Sequence, residues 1–75
     1  MYFKIQGGNE MIIIDLIREL MIQQDLTIGD LARKTELSYT TIENVVLRDI
    51  IPTPEEARTM LWAMGIKLED VLGLY

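Results

Sequence analysis

Three hydroxyl residues, Thr27, Ser38 and Thr53, divide this chain. Each stands directly before a stretch whose apolar residues recur at spacings of three and four. A Ser or Thr in that place accepts a hydrogen bond from one of the orphan N–H groups that open a helix. The first is joined by Asp30 at the third helical position, a capping-box arrangement. The third is followed by Pro54, whose missing N–H costs nothing in a first helical position. Glu55 and Glu56 then suit the positive end of the helix dipole. Helices cut this short are marginal alone and must pack on one another. The chain is therefore read as all-α.

The periodicity predicts five helices. Ile13, Ile17, Leu20 and Met21 form the stripe of a first helix over 12–24, and Asp25-Leu26 breaks it. The second runs from its cap at Thr27 to Thr35-Glu36, with Leu31, Ala32 and the later Leu37 as its apolar face. The third follows Ser38 and carries Thr41, Ile42, Val45 and Val46. These are poor helix formers, so tertiary packing must hold it. Arg48 to Pro52 reads as a loop, because a proline disfavours helix at the residue before it. Ala57, Met60, Leu61 and Met64 stripe the fourth helix, and Gly65 stops it. Ile66 and Leu68 staple a last short helix, 68–73, built on Val71 and Leu72. Only about three residues separate the second and third helices. That is the spacing of a helix-turn-helix, which an arbitrary small helical bundle also permits.

Residues 1–10 differ from this pattern. Tyr2 to Gln6 has weak strand character and Gly7-Gly8-Asn9 is a breaker, so the segment reads as a flexible leader or short edge strand before a domain over 11–75. Gly7-Gly8-Asn9-Glu10 can be spelled by codons containing a ribosome-binding sequence, which makes Met11 a candidate second start.

Composition excludes most chemistry. The 75 residues make one domain with a small core. There is no Cys and no His, which removes zinc sites, thiol chemistry, disulfides and histidine acid–base work. Hydrophobic residues are 49% of the chain, too many for a disordered one. The run Met11 to Ile14 is far short of a membrane span, and Met1 to Lys4 lacks the layout of a signal peptide, so a cytoplasmic protein with no membrane partner is expected. The paired carboxylates Glu55-Glu56 and Glu69-Asp70 are adjacent on helices and point apart, unlike the opposed acids of a glycosidase. No glycine-rich phosphate loop or metal-ligand cluster appears. No catalysis, metal, cofactor or small-molecule substrate is expected. Seven Lys and Arg against twelve Asp and Glu give a net charge of −5, which repels nucleic acid unless the cations gather on one face.

The stretch Thr27-Ile28-Gly29-Asp30-Leu31-Ala32-Arg33-Lys34-Thr35-Glu36-Leu37-Ser38-Tyr39-Thr40-Thr41-Ile42 resembles the helix-turn-helix of the phage repressor and Cro-like (XRE) family. Pro52, the Ala57 to Met64 stripe, Gly65-Ile66 and Leu68 to Leu72 continue the match, so it covers about residues 12–73. Leu31-Ala32, Ile42 and Gly65 are its specific part. The resemblance implies a five-helix repressor-like DNA-binding domain whose third helix lies in the major groove. It implies base contacts from Tyr39, Thr40, Glu43 and Asn44, and phosphate contacts from Arg33, Lys34, Ser38 and Arg48. It further implies a transcriptional regulator of phage or mobile-element type, acting as a homodimer on operator DNA, because one such helix reads too few bases. The apolar segment from Leu68 to Tyr75 is the candidate dimer surface.

The departures from the family point elsewhere. Ile28 replaces a phosphate-contacting Gln, and Glu36 replaces the turn glycine. An Arg–Glu pair between the first and third helices becomes Met21 and Val46, an exchange of a buried ion pair for an apolar one that is often neutral. Across 27–48, Arg33, Lys34 and Arg48 face Asp30, Glu36 and Glu43, so the unit is formally neutral. Apolar residues stand where relatives are polar: Ile28, Leu47, Ile50, Ile51 and Trp62. Trp62 falls off the stripe of its helix, either as a hot-spot anchor or packed under Leu74-Tyr75 or the leader. The alternative to DNA is therefore an antirepressor-like module that binds a basic repressor surface through Ile28, Ile50, Ile51, Trp62, Leu74 and Tyr75.

Overall fold

The computed structural model describes residues 9–72, and their side chains over 13–71. Residues 1–8 of the expected leader over 1–10 and the Leu74-Tyr75 end of both candidate interfaces lie outside the described residues. Within them the chain is all-helical: α1 (Asn9–Gln23), α2 (Ile28–Thr35), α3 (Tyr39–Arg48), α4 (Pro54–Ala63) and α5 (Leu68–Leu72). α1 starts three residues earlier than its apolar stripe suggested and takes in Asn9 and Glu10, which were read as leader. A polar, acidic first turn costs a helix nothing, and the stripe alone cannot see it.

The three predicted caps form. Thr27 Oγ1 accepts from the Asp30 N–H at 3.0 Å, and the Asp30 carboxylate accepts from the Thr27 N–H at 3.0 Å. Ser38 Oγ accepts from the Thr41 N–H at 3.0 Å. Thr53 and Glu56 make a second reciprocal box, at 3.1 and 3.0 Å. At their far ends, α1 and α4 close alike. Leu26 N–H donates to Met21 O at 2.8 Å and Asp25 N–H to Ile22 O at 3.2 Å. Ile66 N–H donates to Leu61 O at 2.9 Å and Gly65 N–H to Trp62 O at 3.0 Å. Both are Schellman closures, which need one left-handed residue. Gly65 supplies it in α4 at φ 89°, but Asp25 must supply it in α1 at φ 57°. Glu36 and Asp49 take the same conformation after α2 and α3, at φ 63° and 56°.

Packing follows the stripes. Ile14, Ile17, Leu31, Ile42, Met60 and Leu61 are wholly enclosed. α2 packs on α3 and α4, α1 lies against the same two helices, and α5 rests on α4. Because α1 faces two neighbours it buries a wide arc, Ile14, Leu16, Ile17, Leu20 and Met21, and Ile13 is only half-buried at its edge. Leu31 and Ile42 bring α2 and α3 together, and Ala32 is half-buried against the same core.

The α2–α3 link is Glu36, Leu37 and Ser38. Its backbone is satisfied from inside by Thr35, a buried polar side chain. The Thr35 hydroxyl donates to Leu31 O at 2.8 Å, and its oxygen accepts from the Leu37 N–H at 3.2 Å. Thr35→Val keeps the shape but strands that N–H, and should cost about 1–3 kcal/mol. Glu36→Gly removes the left-handed penalty and should gain about 1 kcal/mol. Urea unfolding checks both. The midpoint should fall in the first variant and rise in the second, with the slope unchanged. A midpoint for Glu36→Gly at or below that of the parent would show that Glu36 carries no strain.

Candidate nucleic-acid interface

The two capped helices and their short link hold the start of α3 outward. Tyr39 and Thr40 are exposed in its first turn, with Tyr39 at 55%. Glu43 lies one turn on and is half-buried, and Leu47 one turn further is 64% exposed. These positions recur at intervals of about four and share one face.

Asn44 departs from the expected role. It is half-buried, and its Oδ1 is shut away from solvent with no hydrogen-bond partner. A bidentate contact to an adenine edge needs both ends of the amide. The side chain must rotate to offer them, and rotation gives up no bond at Oδ1. The Asn44 main chain is engaged: its carbonyl accepts from the N–H groups of Asp49 and Ile50, the latter at 3.0 Å, and so closes the end of α3.

The cations are few and partly spent. Arg33 forms an ion pair with Asp30. Lys34 and Arg48 are exposed and have no acidic partner among the described residues. Ser38 Oγ is occupied as the α3 cap and is also 2.8 Å from Thr41 Oγ1. Hydrogen bonds from Thr27, first its backbone and then its side chain, followed by the Arg33 and Lys34 charges, hold the Asp30 carboxyl below the 3.8 of a free aspartate. Asp30 therefore stays ionised near neutral pH and offsets Arg33 on this face.

Sequence reasoning missed Arg18. Its Nε donates to Val46 O at 2.8 Å, and its guanidinium pairs with Asp49 and, at 3.3 Å, with Asp15. An arginine of α1 thus ties down the end of α3. The signal was available: Arg18 is the sole cation between Lys4 and Arg33. Met21 and Val46 instead line a hollow of about 540 Å³ between α1 and α3, whose lips are Ile22 and Leu47.

The apolar positions divide. Ile28 is half-buried at the start of α2 and packs partly on the core. Ile50 and Ile51 are exposed, at 50% and 55%. Trp62 is 74% exposed beside a groove of about 330 Å³ between α4 and α5. Its packing against Leu74-Tyr75 or the leader falls outside the described residues.

Comparison of the chain with protein-family models, with curated proteins and with solved structures finds no match.

Proposed function

We propose that this chain is a DNA-binding transcriptional regulator, with α2 and α3 as a helix-turn-helix and α3 as the helix that enters the major groove. One observation carries the reading. The first turn of α3, with Tyr39 and Thr40 exposed, follows a three-residue link that is hydrogen-bonded from inside by Thr35. An exposed polar helix start is what groove reading requires. Thr40 offers a hydroxyl and a methyl to base edges, and Tyr39 a phenol and an aromatic face. Arg33, Lys34 and Arg48 supply the phosphate contacts, and Asn44 joins the base contacts after rotation. A pair of copies is needed to read enough bases for selectivity.

A second reading uses the same fold as an antirepressor-like module. The neutral α3 face and the exposed Ile50 and Ile51 favour it. Under it the ligand is a basic repressor surface.

Titration against DNA fragments from the chain's own genomic neighbourhood, at several salt concentrations, separates the two. Fragment-selective binding is expected, with a gentle slope of log K on log salt. Three cations in each of the two copies give a slope of about −5. Thr40→Ala should weaken the preferred fragment by about 1 kcal/mol or more and leave other fragments unaffected. No binding at low salt by the folded chain would rule out the DNA reading. In that case a neighbouring repressor should bind the parent chain and be lost in Ile50→Asp.

A further inference from the structure

Leu47 is an apolar side chain on the face of α3 that carries the candidate base contacts. It stands in the last turn of the helix and is 64% exposed. Helix geometry fixes its direction. Ile42 and Val45 are the buried residues of α3. At about 100° per residue, the direction opposite their mean falls between Thr40 and Leu47. These two are seven residues apart, which is two turns to within about 20°. They form the outermost line of the helix, and the half-buried Glu43 and Asn44 flank it.

We propose that Leu47 is a base-reading residue, which recognises the 5-methyl group of a thymine in the major groove about three base pairs from the base that Thr40 meets. The inference rests on the DNA reading, with α3 in the groove. A helix seated there brings its outermost line closest to the base edges. The pairs present hydrogen-bond donors and acceptors in that groove, and the thymine methyl is their apolar group. Leucine neither donates nor accepts. Against any other edge it covers polar atoms and satisfies none, which costs free energy. Against a phosphate it makes no bond, so it takes no part in the grip that Lys34 and Arg48 supply. Against the methyl it removes apolar surface from water on both sides.

The spacing follows from the two helices. Seven residues of α3 rise about 10.5 Å. Base pairs stack about 3.4 Å apart, so Thr40 and Leu47 address positions about three steps from each other. Glu43 lies between them along the helix, and its carboxylate suits a cytosine amino group. The centre of this face holds no cation, so it reads bases and leaves the phosphates to the flanks.

The test uses the full chain and duplexes that it recovers from a pool of random-sequence DNA. Each thymine of the preferred duplex is replaced in turn by deoxyuridine, which loses the methyl and keeps every hydrogen-bonding edge. Affinities are measured at low salt, where phosphate contacts keep weakened complexes measurable. At a thymine about three base pairs from the position that Thr40→Ala relaxes, the parent should lose about fourfold, the worth of one methyl. There Leu47→Ala should bind the thymine and deoxyuridine duplexes equally, and Thr40→Ala should keep the fourfold ratio. Alanine favours helix, and circular dichroism checks that both variants are folded. A preferred duplex in which no thymine methyl matters overturns the proposal and leaves the DNA reading standing. So does a ratio that survives in Leu47→Ala or disappears in Thr40→Ala. A folded chain that recovers no preferred duplex overturns the proposal and the DNA reading together.

Discussion

The link between α2 and α3 leaves no slack, and the arrangement of the chain follows from how it is held. Three residues must reverse direction, satisfy their own backbone and deliver a capped α3. Thr35 does the inner half of this with one buried hydroxyl that both donates and accepts. Glu36 does the outer half by taking a left-handed conformation without the freedom of a glycine. Leu31 and Ile42 then meet in the core because the link sets the distance between their helices. Neither side of the link works alone. A relaxed turn without the hydroxyl leaves a bare N–H, and the hydroxyl without the turn has nothing to accept from.

At the other end of α3, the tie to α1 is ionic at its rim and apolar beneath. Arg18 reaches the Val46 carbonyl and Asp49, and Met21 and Val46 lie below it. A guanidinium kept partly in water escapes most of the desolvation that a buried ion pair must offset. Placed at the rim, Arg18 tethers α1 to the end of α3 without most of that cost. Beside it a hollow between the two helices stays open to solvent.

Much of this fold was legible in the residues because capping is local. Thr27, Ser38, Thr53, Pro54 and Gly65 each announce a helix end through their own chemistry, and each occupies the end it announces. What stayed hidden was long-range or depended on side-chain direction. Arg18 acts on residues 28 and 31 positions away, and no periodicity carries that pairing. Ile28 reads as an exposed apolar residue by position, yet it is half-buried and packs partly on the core. Asn44 reads as a polar residue on an outward helix, and only packing reveals that its oxygen is enclosed. Left-handed Asp25 and Asp49 were also unseen, because aspartate in a helix-ending segment has many other uses.

The three carboxylate residues in left-handed backbone carry one more consequence, for lifetime rather than shape. A kcal/mol held at a helix end multiplies the population of locally opened chain about fivefold. Proteases sample that opened population when opening is fast relative to cleavage. Asp25, Glu36 and Asp49 sit at three of the four junctions between helices, so strain is spread along the chain instead of being gathered in one loop. The rate at which such a molecule is cleared is then adjustable by single residues at its helix ends, without touching its core.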